Sequence, residues 1–131
     1  VGAGKAKRRA DEFYEGLPMS EERDINAAVE YIYTQGQVYA KAKAQRVYLE
    51  EYRKSQKAML MKAAMTAGIK TVAAAEIEAY SDPAYVEILK GIQEATEQEE
   101  ALRWGLVAAQ AKIEVWRSKE ASNRMMDRAV M

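Results

Sequence analysis

Cysteine and histidine are both absent from these 131 residues. Without cysteine there is no disulfide framework and no thiolate metal site. Without histidine the commonest general base and the commonest metal ligand are missing as well. A metal would need an inward-facing cluster of carboxylates, and no cofactor is expected. Phenylalanine occurs once, proline twice and glycine seven times, so helix breakers and strand-turn signals are few. No apolar run approaches the roughly 18 residues of a membrane span, and no signal peptide is evident. The expected location is the cytoplasm, with no membrane partner. The chain begins at Val1, which reads as a removed initiator methionine or a trimmed terminus.

Alanine, methionine and charge fill the chain instead. The net charge is zero, but the signs are sorted into blocks. Lys5, Lys7, Arg8 and Arg9 open a basic stretch, and residues 11–30 hold seven acids against Arg23 alone. From Lys41 to Lys70 there are eight bases against Glu50 and Glu51, and from Glu76 to Glu100 eight acids against Lys90. Such segregation bears on partners more than the total does.

The strongest pattern runs from Tyr85 to Trp116. Steps of three and four give Tyr85, Ile88, Ile92, Ala95, Glu99, Leu102, Leu106, Ala109, Ile113 and Trp116. That is a heptad seam with one charged interruption, and it predicts a helix packed along one narrow face, serving oligomerisation or helix packing. Asp82 suits the cap and Pro83 the first helical position. An earlier helix opens at Ser20 or Asp24 with acids in its first turn. Its stripe reads as Tyr31, Gln35, Val38, Ala42, Gln45, Leu49, Tyr52, Gln56, Met59 and Ala63, with Ile25, Ala28, Val29 and Ile32 strengthening its beginning. Gly36 is its weak point or a place of close backbone approach. Gly68 ends it, and Thr71 caps a short elbow helix.

The expected architecture is all-α: a long antiparallel helical hairpin with a short elbow, a coiled-coil-like seam and further copies covering the remaining apolar faces. Its helices are placed at about 24–66, 71–80 and 83–128. Residues 1–23 read as a weakly ordered arm, basic then acidic, and 24–131 as the hairpin domain. VGAGK lacks the spacing of a phosphate-binding loop, and no strand precedes it.

Two features bear on function. Lys41, Lys43, Arg46, Arg53, Lys54, Lys57 and Lys62 are interleaved with Tyr39, Tyr48 and Tyr52. Bases along a helix neutralise phosphates, and exposed tyrosines stack on unpaired bases. Lys43, Arg46, Arg53 and Lys57 are placed near one face, away from Leu49, Tyr52 and Met59. The competing reading is a solvated face paired with Glu94, Glu97, Glu99 and Glu100. The second feature is a smaller basic set, Arg117, Lys119, Arg124 and Arg128, beside Trp116, which the heptad period places in the core. The serines lack a partner base and the acids form solvent-facing runs, so no enzyme is expected.

The ending AKIEVWRSKEASNR, preceded by AYSDPAYVEILKG, is similar to small helical proteins that tailed phages encode beside recombination genes. The plan of residues 25–125 resembles UvsY-type recombination mediators: a basic helix with KAMLMKA-like residues (Lys57–Ala63), an elbow, then a Trp-bearing helix. The resemblance implies a ring-like homo-oligomer that binds single-stranded DNA. It further implies contact with SSB and loading of a recombinase or annealing protein in the cytoplasm of a bacterial host. Lys54, Lys57 and Lys62 would be the DNA contacts. The near-neutral total and the acidic elbow depart from the pattern. The alternative is a scaffold or adaptor that self-assembles through its heptads without binding nucleic acid.

Overall fold

The structure, a computed structural model, describes residues 20–130. Most of the expected N-terminal arm therefore lies outside the described residues. Within them the protein is all-helical and has no strand: α1 is Ser20–Thr66, α2 is Val72–Ser81 and α3 is Pro83–Val130. Helix α1 starts at the earlier of the two expected positions, with Glu21 and Glu22 in its first turn. There they face the free amides at the positive end of the helix dipole. It runs through Gly36, where an added β-carbon would meet nothing within 4 Å, so that glycine marks no close approach within the chain.

The boundaries are set by local chemistry. Gly68 has φ +118°, in a region that β-carbons disfavour. Ile69 N–H donates to the Ala64 carbonyl at 3.1 Å and Gly68 N–H to that of Met65 at 3.2 Å, the paired bonds of a Schellman cap. Thr71 Oγ1 then accepts from Ala74 N–H at 3.2 Å and opens α2. Asp82 closes one helix and opens the next. Its N–H donates to the Ala79 carbonyl at 3.3 Å, and its Oδ1 accepts from Ala84 N–H at 2.8 Å. Pro83 occupies the first position of α3, where no amide is needed.

The described residues form two compact units, one of Gln35–Trp104 and one that joins the described residues up to Thr34 with those from Gly105 onward. In the Gln35–Trp104 unit the buried side chains are Ala42, Ala75, Ala79, Tyr85, Ala95 and Glu99. Ile88, Ile92 and Leu102 are half-buried between them. Leu49 Cδ1 lies over Gly91, 3.8 Å from where a β-carbon would stand, and Tyr80 meets Tyr85 edge to face at 5.2 Å. In the other unit Ala28 and Ala109 are buried, while Leu106, Ile113 and Trp116 are half-buried. Tyr31 lies across Gly105, its ring Cζ 3.3 Å from the site of a β-carbon, so only glycine leaves the ring its place. Among the described residues no large side chain is fully buried.

The inward face of α1 differs from the expected stripe. Tyr31, Val38, Tyr52 and Met59 are exposed, at 38–51%, as are Gln45 and Ala63. Ile25, Ala28 and Ile32 face inward in one unit, and Tyr39, Ala42, Arg46, Leu49, Arg53 and Leu60 in the other. The two candidate stripes share Gln35, Ala42, Leu49 and Gln56, which are buried or half-buried, and differ by one residue at the steps between them. Apolarity favours the first. Glu99, buried on the facing helix, demands a cation, and Arg46 brings the second stripe inward to supply it.

Candidate nucleic-acid interface

The basic segment of α1 lies in the Gln35–Trp104 unit, and its seven bases do not share one role. Arg46 is three-quarters buried and grips the 8%-exposed carboxylate of Glu99 through Nε and Nη2, the latter at 3.2 Å. Its Nη1 donates to Glu50 Oε1 at 3.0 Å. These bonds to Glu99 and then Glu50 hold the guanidinium above its ordinary pKa, and Arg46 holds Glu99 below the usual carboxylate range. Arg46 is thus committed to the interior, contrary to its expected place on an outward face: a buried carboxylate is tolerated only when paired.

Lys57 is also turned toward its own chain. Its Nζ lies 4.5 Å from the centre of the Tyr80 ring and donates to Glu76 Oε1 at 3.2 Å. Tyr80 first and Glu76 second raise its pKa. Lys54 pairs with Glu51 at 3.1 Å, both side chains about two-thirds exposed. Such a pair is weak and leaves the ammonium open to a stronger anion. Arg53 is half-buried on the inward face and Lys43 exposed. Lys41, Lys43, Arg53 and Lys62 make no ion pair with another described residue. Of the four acids expected opposite this segment, Glu99 alone engages it; Glu100 instead holds Arg103 at 3.0 Å.

A different face of α1 combines bases with accessible aromatics. Lys41, Tyr48, Tyr52, Met59 and Lys62 follow one another at separations of 7, 4, 7 and 3 residues, which places them along one side of a helix. Lys41 and Lys62 are exposed. Tyr48 is 62% and Tyr52 38% exposed, and their rings are stacked at 6.0 Å with 13° between planes. Tyr52 O–H donates to Gln56 Oε1 at 3.3 Å, which fixes its ring. From Lys41 to Lys62 the face extends roughly 30 Å at 1.5 Å per residue. The one acid at its edge is Glu51, already held by Lys54. Tyr39, grouped with these tyrosines in the sequence, is half-buried on the inward side.

The second basic set lies in the other unit, on α3. Arg117 pairs with Glu114 at 3.1 Å and Lys119 with Glu21 at 3.5 Å, while Arg124 donates to the Glu120 carbonyl at 3.4 Å. Trp116 is half-buried beside them. Among the described residues no three acidic side chains gather as a metal site, and no helix is long and apolar enough to cross a membrane. Comparison with protein-family models, curated proteins and solved structures gives no significant match.

Proposed function

We propose that this is a non-enzymatic, homo-oligomeric accessory protein of phage DNA recombination or replication. Single-stranded DNA binds along the Lys41–Lys62 face of α1, and the protein helps load a recombinase or annealing protein onto SSB-covered strands. The observation that carries the reading is the stacked, exposed Tyr48–Tyr52 pair between two lysines, Lys41 and Lys62, that pair with no acid among the described residues. Exposed aromatics are platforms for unpaired bases, and flanking lysines track the phosphates. Duplex DNA keeps its base faces stacked and gains only the lysine contacts, so the face favours single strands. This revises the contact set: Lys41 and Lys62 carry the phosphates, Lys54 assists from the edge, and Arg46 and Lys57 serve the fold.

A second reading, a scaffold that assembles without nucleic acid, draws on the intrachain pairing of Arg46, Lys54 and Lys57. Fluorescence anisotropy of a labelled single-stranded oligonucleotide separates the two. Binding that falls steeply with salt is expected. Tyr48→Ala with Tyr52→Ala should weaken it by roughly 1–3 kcal/mol per stacked base. Lys41→Glu with Lys62→Glu should abolish it, with helicity unchanged. Absence of binding at low salt by folded protein would leave the scaffold reading.

A further inference from the structure

The tyrosine pair on the Lys41–Lys62 face has a geometry that decides where a nucleobase goes. The rings of Tyr48 and Tyr52 are within 13° of parallel and their centres are 6.0 Å apart, the rise of four helical residues at about 1.5 Å each. Their planes are therefore no more than 6.0 Å apart. A base stacked on both rings would need roughly 6.8 Å, twice the spacing of stacked bases. No base fits between them. The Tyr52 ring is also held in place, because its O–H donates to Gln56 Oε1 at 3.3 Å.

The outer faces of the pair are different. Among the neighbours three and four residues away, which are those able to cover a ring, Ala44 before Tyr48 and Ser55 after Tyr52 are short and exposed. Gln45 is exposed as well, and Gln56 is drawn to the Tyr52 hydroxyl at the ring's edge. Lys41 stands seven residues before Tyr48 and Lys62 ten after Tyr52, roughly 10 and 15 Å away along the axis. Seats for two bases thus lie on opposite sides of the ring pair, each with a lysine beyond it.

Two bases on those seats stand roughly 10–13 Å apart, whereas neighbours in a stacked strand stand about 3.4 Å apart. A strand that fills both seats must part its own stack at the tyrosines, by stretching its backbone or by turning an intervening base outward. We propose that the Tyr48–Tyr52 pair is a wedge that unstacks the bound single strand, and that this face therefore takes thymine-rich strands over adenine-rich ones. The wedge rests on DNA binding by the Lys41–Lys62 face. Stacking on a tyrosine is open to every base, since every base has a π-face. The cost is the base–base stacking lost, which is largest in runs of adenine and smallest in runs of thymine. A base turned outward has its pairing edge exposed, the state in which a complementary strand can read it.

Anisotropy titrations of this chain against labelled thymine and adenine oligonucleotides of equal length test the wedge. The thymine strand should bind more tightly by at least about fivefold, the low end of what one base stack is worth. Tyr48→Ala with Tyr52→Ala should weaken both strands and erase the preference, because the lysines that remain grip only phosphates. A 2-aminopurine placed between adenines is dim while stacked, and it should brighten when the wild-type protein binds. Four results would each overturn the wedge and leave DNA binding standing: equal affinities, a preference for adenine, a preference that survives in the double variant, or a probe that stays dim on the bound strand. Absence of binding to either strand at low salt would overturn DNA binding itself, and the wedge with it.

Discussion

Glu99 carries a charge at a position that the heptad count assigns to an apolar side chain, and Arg46, one residue off the counted stripe of α1, answers it. The pair stabilises what would otherwise be a buried, unpaired carboxylate, and its removal is asymmetric. Arg46→Ala strands Glu99 and should lower the melting temperature more than Glu99→Gln, which leaves Arg46 its bond to Glu50. The pH dependence has a fixed sign. Glu99 has a depressed folded-state pKa, so its stabilisation is complete above the ordinary glutamate range, about 4.3. It is lost as pH falls through the lower folded value. Thermal melts from pH 7 to pH 2 should show an acid-induced loss of stability that is smaller in Glu99→Gln. An equal loss in both would assign the acid sensitivity to other carboxylates. The sequence marks Glu99 as an interruption in an apolar series and as one of four acids that could pair with the basic face of α1; that Arg46 is the base that takes it is a contact across 53 positions of chain, which no local pattern encodes.

At the scale of elements, the ends of the helices were legible because their chemistry is local. Gly68 supplies the positive φ of a Schellman cap, Thr71 and Asp82 supply side-chain caps, and Pro83 needs no amide. Gly68→Ala should cost about 1 kcal/mol, since a β-carbon is strained at this φ. Asp82→Ala should cost about 1 kcal/mol through the lost bond to Ala84 N–H. Chemical denaturation of each variant checks both, and an unchanged midpoint for Gly68→Ala would mean the cap relaxes freely. The inward face of α1 was not legible in the same way. Tyr31, Val38, Tyr52 and Met59 are the more apolar choice, yet they are exposed. The stripe that turns inward contains Arg46 and Arg53, because orientation about the helix axis answers to the facing helix and not to hydropathy alone.

At the scale of the molecule, the described residues have a core of alanines with Tyr85 and Glu99 and no fully buried large side chain, which leaves limited reserve against polar substitution. Leu106→Asp puts a carboxylate on a half-buried inward position and should destabilise by on the order of 2 kcal/mol. Circular-dichroism melts would register it as an earlier transition. The proposed assembly and the proposed DNA contact respond differently to salt. Assembly through apolar surface should change little between low and moderate ionic strength, while phosphate contacts weaken steeply. Parallel titrations of mass and of anisotropy on one sample would separate them; loss of both together would tie DNA binding to the assembled form.

The sequence by itself determined the helical class, the punctuation at Gly68, Thr71, Asp82 and Pro83, and the inward positions of α3 from Tyr85 to Trp116. Each follows from spacing or from groups a few residues apart. Tertiary structure decided which stripe of α1 turns inward, which bases are spent within the chain, and that Tyr48 and Tyr52 stay accessible. Those outcomes depend on desolvation and charge pairing between residues distant in sequence. A buried carboxylate selects its cation from the opposite helix, and that selection fixes what every other side chain on α1 faces.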